Sequence, residues 1–310
     1  MENKKTILLT GATGFLGSHI EQELLKQHKV IRLARGEKAS GHVNADIKFK
    51  IPILSIPQID LVVHAAGKAH VVPKTEAEKQ DFYDVNLKGT ENLLEALKNS
   101  SNIPKAFVFI STVAVYGLET GAKIDEAAPL LAEDPYGKSK ILAEKKILEW
   151  GKANNVIITI LRLPLLVGKN APGNLGAMIK GINKGYYFNI GDGKAKRSML
   201  LANDVAKIIA NVSEVGGVFN LTDGVDPSFG EISETIGIML NKRVKSLPEV
   251  LAKTIAASLT IVENLVGKKL PFSKRVYDKM TQSLTFSCKK AQNTLNWKPQ
   301  PVLDNLNSIL

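Results

Sequence analysis

The sequence predicts an α/β fold in which a doubly wound parallel sheet is joined by a smaller, mostly C-terminal α/β lobe. Short apolar runs of strand length alternate with helical patterns in the first half of the 310 residues, and this alternation is typical of βαβ units. Beyond Pro164 the alternation loosens. We therefore expect residues 1–165 to form the sheet domain and residues 166–310 to form mainly the second lobe, with some strands and helices returning to the first.

The first strand, a glycine turn and a helix lie in Thr6–Ile20, which reads T-I-L-L-T-G-A-T-G-F-L-G-S-H-I. Ile7–Leu9 is a continuous apolar run, as expected of a strand that is buried on both faces. Three glycines follow at G-x-x-G-x-x-G spacing, and the helix behind them brings free backbone N–H groups and its positive end to the turn. This order predicts a Rossmann-type dinucleotide site. The residues expected to hold the cofactor there are Gly11, Thr13, Gly14, Phe15 and Leu16.

The end of the second predicted strand, Lys29–Ala34, is where the adenosine ribose of a dinucleotide is expected. An acid at this place favours NAD by accepting the ribose 2′-hydroxyl, but this chain has Arg35, with Lys38 close by. A cation favours a 2′-phosphate, so we expect NADP to be preferred over NAD. Asp46-Ile47, after the next loop, is a candidate for flanking the adenine.

Two further segments are expected to flank the cofactor. The apolar run Asp60–His64 leads into Ala65-Ala66-Gly67, a turn of small residues that lets a cofactor pass close by. A helix over residues 76–98 places Asn86 on its apolar, inward face, and a buried amide requires polar partners. His64 is expected to pack at the strand end rather than to bind a ligand.

Hydroxyl groups, Ser111 and Thr112, end the strand predicted from Ala106, at the sheet edge where open α/β sheets bind ligands. Asp134-Pro135 then forms a strong helix start, as N-cap and first helical residue. Tyr136 and Lys140 lie one turn apart on that helix. A tyrosine and a lysine at this spacing can occur by chance in a chain with six tyrosines and 35 lysines. The pair is evidence for a site only because it follows this strand.

The composition argues against several classes of function. The net charge is +11, but the 35 lysines and six arginines occur along the whole chain without a basic block, which does not favour nucleic-acid binding. The single cysteine, Cys288, excludes an intramolecular disulfide and fits a reducing cytoplasm, and no signal segment is expected before the first strand. No His/Cys/Asp cluster has metal-ligand spacing, so we expect no metal.

The second lobe is predicted from weaker patterns. We expect helices over 172–184, from an Asn203 cap to about residue 214, and over 228–240, with strands at 198–201 and 217–221. Pro248–Val266 reads as an apolar-rich helix that is too short for a comfortable membrane span. Core or subunit packing is the favoured account of this helix, with peripheral membrane contact as the alternative.

These motifs resemble the extended short-chain dehydrogenase/reductases that act on nucleotide sugars, the NAD-dependent epimerase/dehydratase family. The family's cofactor turn and the strand end that flanks it are similar to T-G-A-T-G-F-L-G at Thr10–Gly17 and H-A-A at His64–Ala66. Asn86 begins a match to N-x-x-G-T-x-N-L-L. S-T-V-A-V-Y-G and Y-G-K-S-K stand where the family has its catalytic hydroxyl and Tyr/Lys pair, and L-N-W-K-P near the C-terminus resembles its terminal L-G-W-x-P.

The resemblance implies hydride transfer at a sugar carbon, carbon 4 by preference, with Tyr136 as the acid/base. Lys140 would lower the Tyr136 pKa and hold the cofactor ribose, and Thr112 would hydrogen-bond the reacting oxygen. Arg197 would bind the diphosphate of a UDP-sugar, and Asn174 would contact the substrate. The helices near residues 81–98 and 135–152 would pair in a homodimer.

Departures from the family pattern narrow the reaction. Val113 and Ala114 stand where 4,6-dehydratases carry an acidic pair, so dehydration is not expected. Ser198 follows Arg197 where many members have Asp, a pattern similar to bacterial polysaccharide enzymes that handle UDP-N-acetyl-deoxyhexosamines. We expect a 4-ketoreductase of a UDP-(N-acetyl)hexosamine-type sugar, with a UDP-hexose 4-epimerase that holds NAD tightly as the alternative. The intact Tyr136/Lys140 pair disfavours a non-catalytic NADP-sensing protein, and Arg197 disfavours a reductase of small lipophilic ketones.

Overall fold

The computed structural model describes residues 4–36, 42–56, 58–69, 71–100, 103–169, 171, 174–266, 270 and 272–308. Lys38 and residues 172–173, at the start of one predicted helix, lie outside this part. The strands of the described residues are β1 (Thr6–Thr10), β2 (Lys29–Ala34), β3 (His42–Asn44), β4 (Leu61–His64), β5 (Ala106–Thr112), β6 (Gly121–Ile124), β7 (Ile157–Leu163), β8 (Leu165–Val167), β9 (Phe188–Ile190), β10 (Met199–Leu201), β11 (Gly217–Asn220), β12 (Lys245–Leu247) and β13 (Leu284–Phe286).

The helices alternate with these strands in the first half of the chain. They are α1 (Phe15–Leu24), α2 (Glu76–Tyr83), α3 (Gly89–Lys98), α4 (Pro135–Asn154), α5 (Asn174–Lys184), α6 (Ala202–Val212), α7 (Phe229–Met239), α8 (Glu249–Val266), α9 (Lys274–Thr281) and α10 (Lys289–Leu295). A π-helical turn, Asp84–Lys88, joins α2 to α3, and short 3₁₀ helices cover Val113–Tyr116 and Leu303–Ser308.

The main sheet has seven parallel strands in the order β11-β7-β5-β4-β1-β2-β3, which confirms the predicted fold class. The chain moves outward from β1 to β3 and then returns to β4, on the other side of β1. The strand order therefore reverses between β1 and β4, where Thr10 pairs in register with His64. Ligands of open α/β sheets bind at such a switch point, beyond the carboxyl ends of the strands.

Layers of helices cover both faces of this sheet. Ile7, Leu8 and Leu9 of β1 have no exposed surface, as the unbroken apolar run predicts. Ile7 and Leu9 belong to a core shared with α1 and α6, whereas Leu8 belongs to the core on the other face, with α3 and α4. The strand ends are thereby fixed between two packed layers.

The second half of the chain contributes to both parts of the molecule. Strand β11 is an edge strand of the main sheet, and α6 packs against α1. The remaining strands form parallel pairs, β8 with β10, β9 with β12 and β6 with β13. A domain boundary at residue 165 stays a prediction.

The predicted Asn203 cap is wrong. Helix α6 begins at Ala202, and its N-cap is Leu201, which makes no capping hydrogen bond with its side chain. The physical reason is that β10 ends at Leu201 and leads directly into the helix. Asn203 therefore lies inside the first helical turn, two residues beyond the cap position.

Helix α8 is not a core element, which was one part of the favoured account, and its packing between subunits stays a prediction. Only its Ala252 and Ala256 are buried, against Tyr277 and Ile190, so packing in the core does not account for its apolar side chains. Among the helices of the described residues, none combines the length and the apolar character that a membrane crossing requires.

Candidate active site

The glycine turn between β1 and α1 lies against the end of β4. Gly11 has a φ of +74°, and a Cβ atom added there would lie 2.5 Å from the Ala66 nitrogen. A Cβ atom on Gly17 would lie 1.9 Å from the Gly11 carbonyl oxygen. Both contacts are shorter than atoms tolerate, so only glycine allows β4 and α1 to approach the turn this closely. The N-terminal end of α1, capped by Gly14, opens beside the turn.

A crevice runs along the carboxyl ends of the central strands and has two adjoining sections. One section is lined by the glycine turn, the 65–67 turn, Thr112 and the start of α4. The other section continues from the glycine turn to the ends of β2 and β3. The crevice brings together the predicted residues Gly11, Thr13, Gly14, Phe15, Leu16, Arg35, Asp46, Ile47, Ala65, Ala66, Gly67, Thr112, Tyr136 and Lys140. Its glycine turn and its small-residue walls fit a dinucleotide.

Helix α4 presents Tyr136 and Lys140 at this crevice. Asp134 is its N-cap, and one carboxylate oxygen accepts from the backbone N–H groups of Tyr136 (3.1 Å) and Gly137 (3.0 Å). Pro135 occupies the first helical position, as predicted. The cap fixes the helix start, and therefore the two side chains one turn apart, relative to the end of β5.

The electrostatics of the pair differ from the sequence-based expectation. Burial raises the pKa of the Tyr136 hydroxyl, and a hydrogen bond with Thr112 offsets part of that rise. The Lys140 ammonium donates to the Ile110 carbonyl oxygen (2.6 Å) and lies 3.9 Å from the centre of the Phe109 ring. Burial lowers the Lys140 pKa to about 7. The expected lowering of the Tyr136 pKa by Lys140 is thus wrong for this structure, because burial dominates and a main-chain carbonyl holds the ammonium.

A chain of buried hydrogen bonds supports the floor of the crevice. The Ala66 N–H donates to the Thr10 hydroxyl (3.1 Å), which lies 2.6 Å from Nδ1 of His64. Nε2 of His64 lies 2.9 Å from the Thr90 hydroxyl, which in turn donates to the Asn86 carbonyl oxygen (2.6 Å). Because the Thr90 hydroxyl donates to Asn86, it must accept a hydrogen bond from Nε2 of His64, so the neutral ring carries its proton on Nε2. Burial lowers the His64 pKa to about 3, which keeps the ring neutral. The histidine joins β1, β4 and α3, as expected of a packed strand-end residue.

Asn86 connects Lys68, next to the 65–67 turn, to helix α4 rather than lining the crevice. It lies in the π-helical turn, a rare conformation that is frequent at functional sites. Its side-chain oxygen accepts from the Lys68 N–H (2.7 Å), and its amide nitrogen donates to the Lys68 carbonyl (3.1 Å) and the Ser139 hydroxyl (2.9 Å). Ser139 donates to the Tyr136 carbonyl oxygen (2.7 Å). Asn86 therefore positions residues on both sides of the site.

Three cations line the section of the crevice that reaches the ends of β2 and β3. Arg35 follows β2, has a side chain that is 80% exposed, and lies 3.6 Å from the Asp46 carboxylate. Lys48 and Lys68 both bind Asp81, whose pKa they lower. This Lys48–Asp81–Lys68 cluster has no signal in the sequence, because α2 brings Asp81 to the two lysines only in the folded chain.

The family of the chain follows from a comparison with family models. The model described as the NAD dependent epimerase/dehydratase family matches residues 7–221. The chain belongs to this family. It is therefore an NAD(P)-dependent enzyme of the extended short-chain dehydrogenase/reductase type, as the sequence motifs indicated.

Individual relatives of this epimerase/dehydratase extend over nearly its whole length. The UDP-glucose 4-epimerase of Vibrio cholerae is 29% identical over 96% of this chain and 92% of its own length. The N-acetyl-alpha-D-glucosaminyl-diphospho-ditrans,octacis-undecaprenol 4-epimerase of Escherichia coli O157:H7 is 28% identical over 98% of this chain and 94% of its own. The solved structure of RMD from Pseudomonas aeruginosa complexed with NADPH is similar over 99% of this chain and 98% of the RMD chain, with a TM-score of 0.74 and 21% sequence identity.

A buried ion pair lies close to Lys140 in this epimerase/dehydratase. Glu144, one turn after Lys140 on α4, binds the Arg162 guanidinium at 2.7 and 3.2 Å. The Ser111 hydroxyl donates to the same carboxylate, and Arg162 also donates to the Tyr116 hydroxyl (3.0 Å). Glu144 and Arg162 are 2% and 5% exposed. These contacts give Arg162 a structural role.

Arg197, a further candidate of the epimerase/dehydratase, does not line the crevice. The Arg197 guanidinium donates to the carbonyl oxygens of Gln282 (2.5 Å) and Lys279 (2.6 Å), and it lies 5.5 Å from the Phe229 ring centre. Asn174 is the first residue of α5. Roles for both in substrate binding stay predictions, and that of Arg197 requires its side chain to leave these carbonyls.

Proposed function

We propose that the enzyme transfers hydride at carbon 4 of a UDP-(N-acetyl)hexosamine-type sugar, with reduction of a 4-keto group as the favoured reaction. The observation that carries the proposal is the meeting of Thr112, Tyr136 and Lys140 in one crevice with the glycine turn. A bound nicotinamide supplies or accepts the hydride. The protein must then manage a proton at the oxygen of the same carbon.

Tyr136 is the proposed proton donor. With its pKa raised by burial, the phenol is neutral at physiological pH, which is the form that a ketone reduction consumes. Thr112 shares a hydrogen bond with Tyr136 and supports the same oxygen. Lys140 would hold the cofactor ribose once its ammonium leaves the Ile110 carbonyl. Val113 and Ala114 supply no acid or base for the loss of water, which supports a reaction without dehydration.

NADP is the proposed cofactor in preference to NAD. Arg35 stands at the end of β2, and Asp46 is its partner within 3.6 Å. A 2′-phosphate would bind the exposed guanidinium in place of, or beside, this carboxylate. The described residues that directly follow β2, Arg35 and Gly36, include no acid for the 2′-hydroxyl. The RMD structure with NADPH is an example of this fold with the phosphorylated cofactor.

4-Epimerisation is the second candidate, and the names of the relatives favour it. The Vibrio cholerae relative is named for epimerisation of UDP-glucose, and the Escherichia coli relative for epimerisation of a sugar on undecaprenyl diphosphate. Both substrates carry a sugar on a diphosphate, the group proposed for Arg197. An epimerase returns hydride to the opposite face of the sugar and keeps its cofactor, whereas a reductase exchanges its cofactor in each turnover.

The experiment uses these differences. Purified enzyme is incubated with UDP-4-keto-6-deoxy-N-acetylhexosamine and NADPH, and separately with UDP-N-acetylglucosamine, and the products are identified by NMR. Acid-released cofactor is measured in parallel. A 4-hydroxy product that depends on added NADPH supports the reductase. Interconversion of the second sugar by enzyme that contains stoichiometric NAD would refute it and establish the epimerase.

A homodimer and a role in surface-polysaccharide synthesis in the cytoplasm complete the proposal. The dimer would form through α3 and α4, the helices through which family members commonly pair. Cys288 is a free, buried thiol, which suits a reducing compartment. Light scattering at micromolar concentration tests the dimer, and a monomer would refute it.

A further inference from the structure

The outward face of α8 is apolar along its whole length. With 100° of rotation per residue, nine positions from Val250 to Val266 share one side of this helix. Seven of them are exposed aliphatic side chains, and Val250 and Leu265 are 80% and 82% exposed. The three charged residues of the helix, Glu249, Lys253 and Glu263, all lie off this side. An apolar strip of this extent is unusual on a surface that faces only water.

The two polar residues of the strip are satisfied within the helix. The Thr254 hydroxyl donates to the Val250 carbonyl oxygen (2.9 Å), and the Ser258 hydroxyl donates to the Thr254 carbonyl oxygen (3.0 Å). Hydroxyl groups bonded to their own helix in this way can enter an apolar medium without losing a hydrogen bond. The face therefore presents no donor that requires water.

Positive charge is concentrated around this helix. Lysines occur along the whole chain, but between Lys242 and Lys279 the sequence has nine basic residues and three acids, which gives +6 of the total +11. Exposed Lys274 and Arg275 begin α9, and the Lys274 N–H donates to the Thr260 hydroxyl of α8 (2.8 Å). Packing of α9 on α8 thus fixes these cations next to α8, on the side of the helix that Thr260 shares with Ala252 and Ala256.

We propose that α8 lies in the surface of an anionic lipid bilayer, with its apolar strip among the acyl chains and the flanking cations at the headgroups. This combination of apolar face and basic flanks is typical of interfacial helices. A second copy of the chain is disfavoured as the occupant, because a two-fold contact would place this positive region against itself. The segment lies beyond residues 7–221, which match the family model, and the inference does not depend on the proposed reaction.

The experiment is vesicle flotation of the full chain. Vesicles of phosphatidylcholine alone are compared with vesicles that contain about 30 mol% phosphatidylglycerol, at low and high salt. Wild-type protein is expected to float with the anionic vesicles and to be released by salt. Val262→Glu with Leu265→Glu should lower binding at least about tenfold by placing carboxylates in the strip. Ile238→Glu is the matched control, because this exposed aliphatic residue lies on α7 and should leave binding unchanged.

The basic flank is tested separately. Lys274→Gln with Arg275→Gln should lower binding about 30-fold, from ~1 kcal/mol for each basic side chain near the bilayer. Lys180→Gln with Lys184→Gln, on exposed positions of α5, is its control. Thermal unfolding and turnover of a water-soluble UDP-sugar confirm that each variant is folded, and neither should change.

Several outcomes would overturn the proposal. They are failure of the wild type to float, equal flotation with neutral vesicles, and flotation of the Val262/Leu265 variant like the wild type. Loss of a dimer in that variant, without vesicle binding by the wild type, would instead make α8 a contact between copies. Turnover is measured independently, so failure of this proposal leaves the proposed reaction untouched, and the reverse also holds.

Discussion

Replacing the buried Lys140 by Met is expected to make the protein more stable while abolishing turnover. Lys140 is 5% exposed, and burial lowers its pKa from 10.5 to about 7. That difference corresponds to about 5 kcal/mol of cost for burying the charged form, before the compensation that the Ile110 carbonyl, water entry and relaxation provide. We therefore expect Lys140→Met to raise the free energy of unfolding by about 1–4 kcal/mol at pH 6.

The pH dependence of this gain has a definite sign. Below pH 7 the lysine is charged in both the folded and the unfolded protein, so the full cost of burial destabilises the wild type. Between pH 7 and 10.5 the folded protein has lost a proton that the unfolded chain still binds, so wild-type stability rises with pH. The advantage of Lys140→Met should therefore be largest near pH 6 and should shrink steadily as the pH approaches 10.5.

Urea denaturation without added cofactor, repeated across this pH range, measures the gain. Lys138→Met is the matched control, because Lys138 is exposed on the same helix and its loss should change stability little at any pH. Turnover and cofactor affinity should fall in Lys140→Met but not in the control. A Lys140→Met protein that is no more stable than the wild type at pH 6, or a gain that does not vary with pH, would refute the reasoning.

Four further substitutions test the site. Tyr136→Phe should leave folding and cofactor affinity nearly intact while turnover falls by about two to four orders of magnitude. Thr112→Val should lower turnover less. Near-normal turnover of Tyr136→Phe would contradict the assignment of Tyr136 as the proton donor. Arg35→Asp should reverse a wild-type preference for NADP(H) over NAD(H) in calorimetry, and a wild type that prefers NAD(H) would contradict the cofactor proposal. Glu144→Gln should lower the free energy of unfolding by about 3–5 kcal/mol, because the Arg162 charge loses its buried partner; unchanged denaturation midpoints would show that water compensates the charge.

The parts of the site that the sequence predicted are those with local signals. The glycine turn is encoded within Thr6–Ile20, and Asp134 caps the helix that carries Tyr136 two residues later. In each case the chemistry of a few neighbouring residues determines the backbone, and the backbone determines where the side chains point. Strand ends then converge because parallel strands align their carboxyl ends along one edge.

Contacts between distant segments gave no such signal. Strand β6 pairs with β13, about 160 residues later in the chain, and neither was predicted as a strand. Glu144 and Arg162 are 18 residues apart, but their other partners come from distant segments. Ser111 donates to Glu144, and Arg162 donates to Tyr116, which in turn donates to Asn220. A charged residue in a sequence does not reveal which opposite charge will meet it, so the buried network could be described only from the fold.

Helix α8 shows why periodicity alone cannot decide between core and surface. Its aliphatic residues cover a wide arc, so the sequence favours burial, yet α8 contacts the protein through the small side chains of Ala252 and Ala256. These small residues let α9 and strand β9 approach α8 closely, and the larger side chains of α8 then face outward. The direction in which a helix faces depends on which side its neighbours occupy, and those neighbours are separated from it in sequence. Whether an apolar helix is a core element or a docking surface therefore depends on which of its residues contact the protein. In α8 those residues are the two alanines, so the larger aliphatic side chains lie on the outer side.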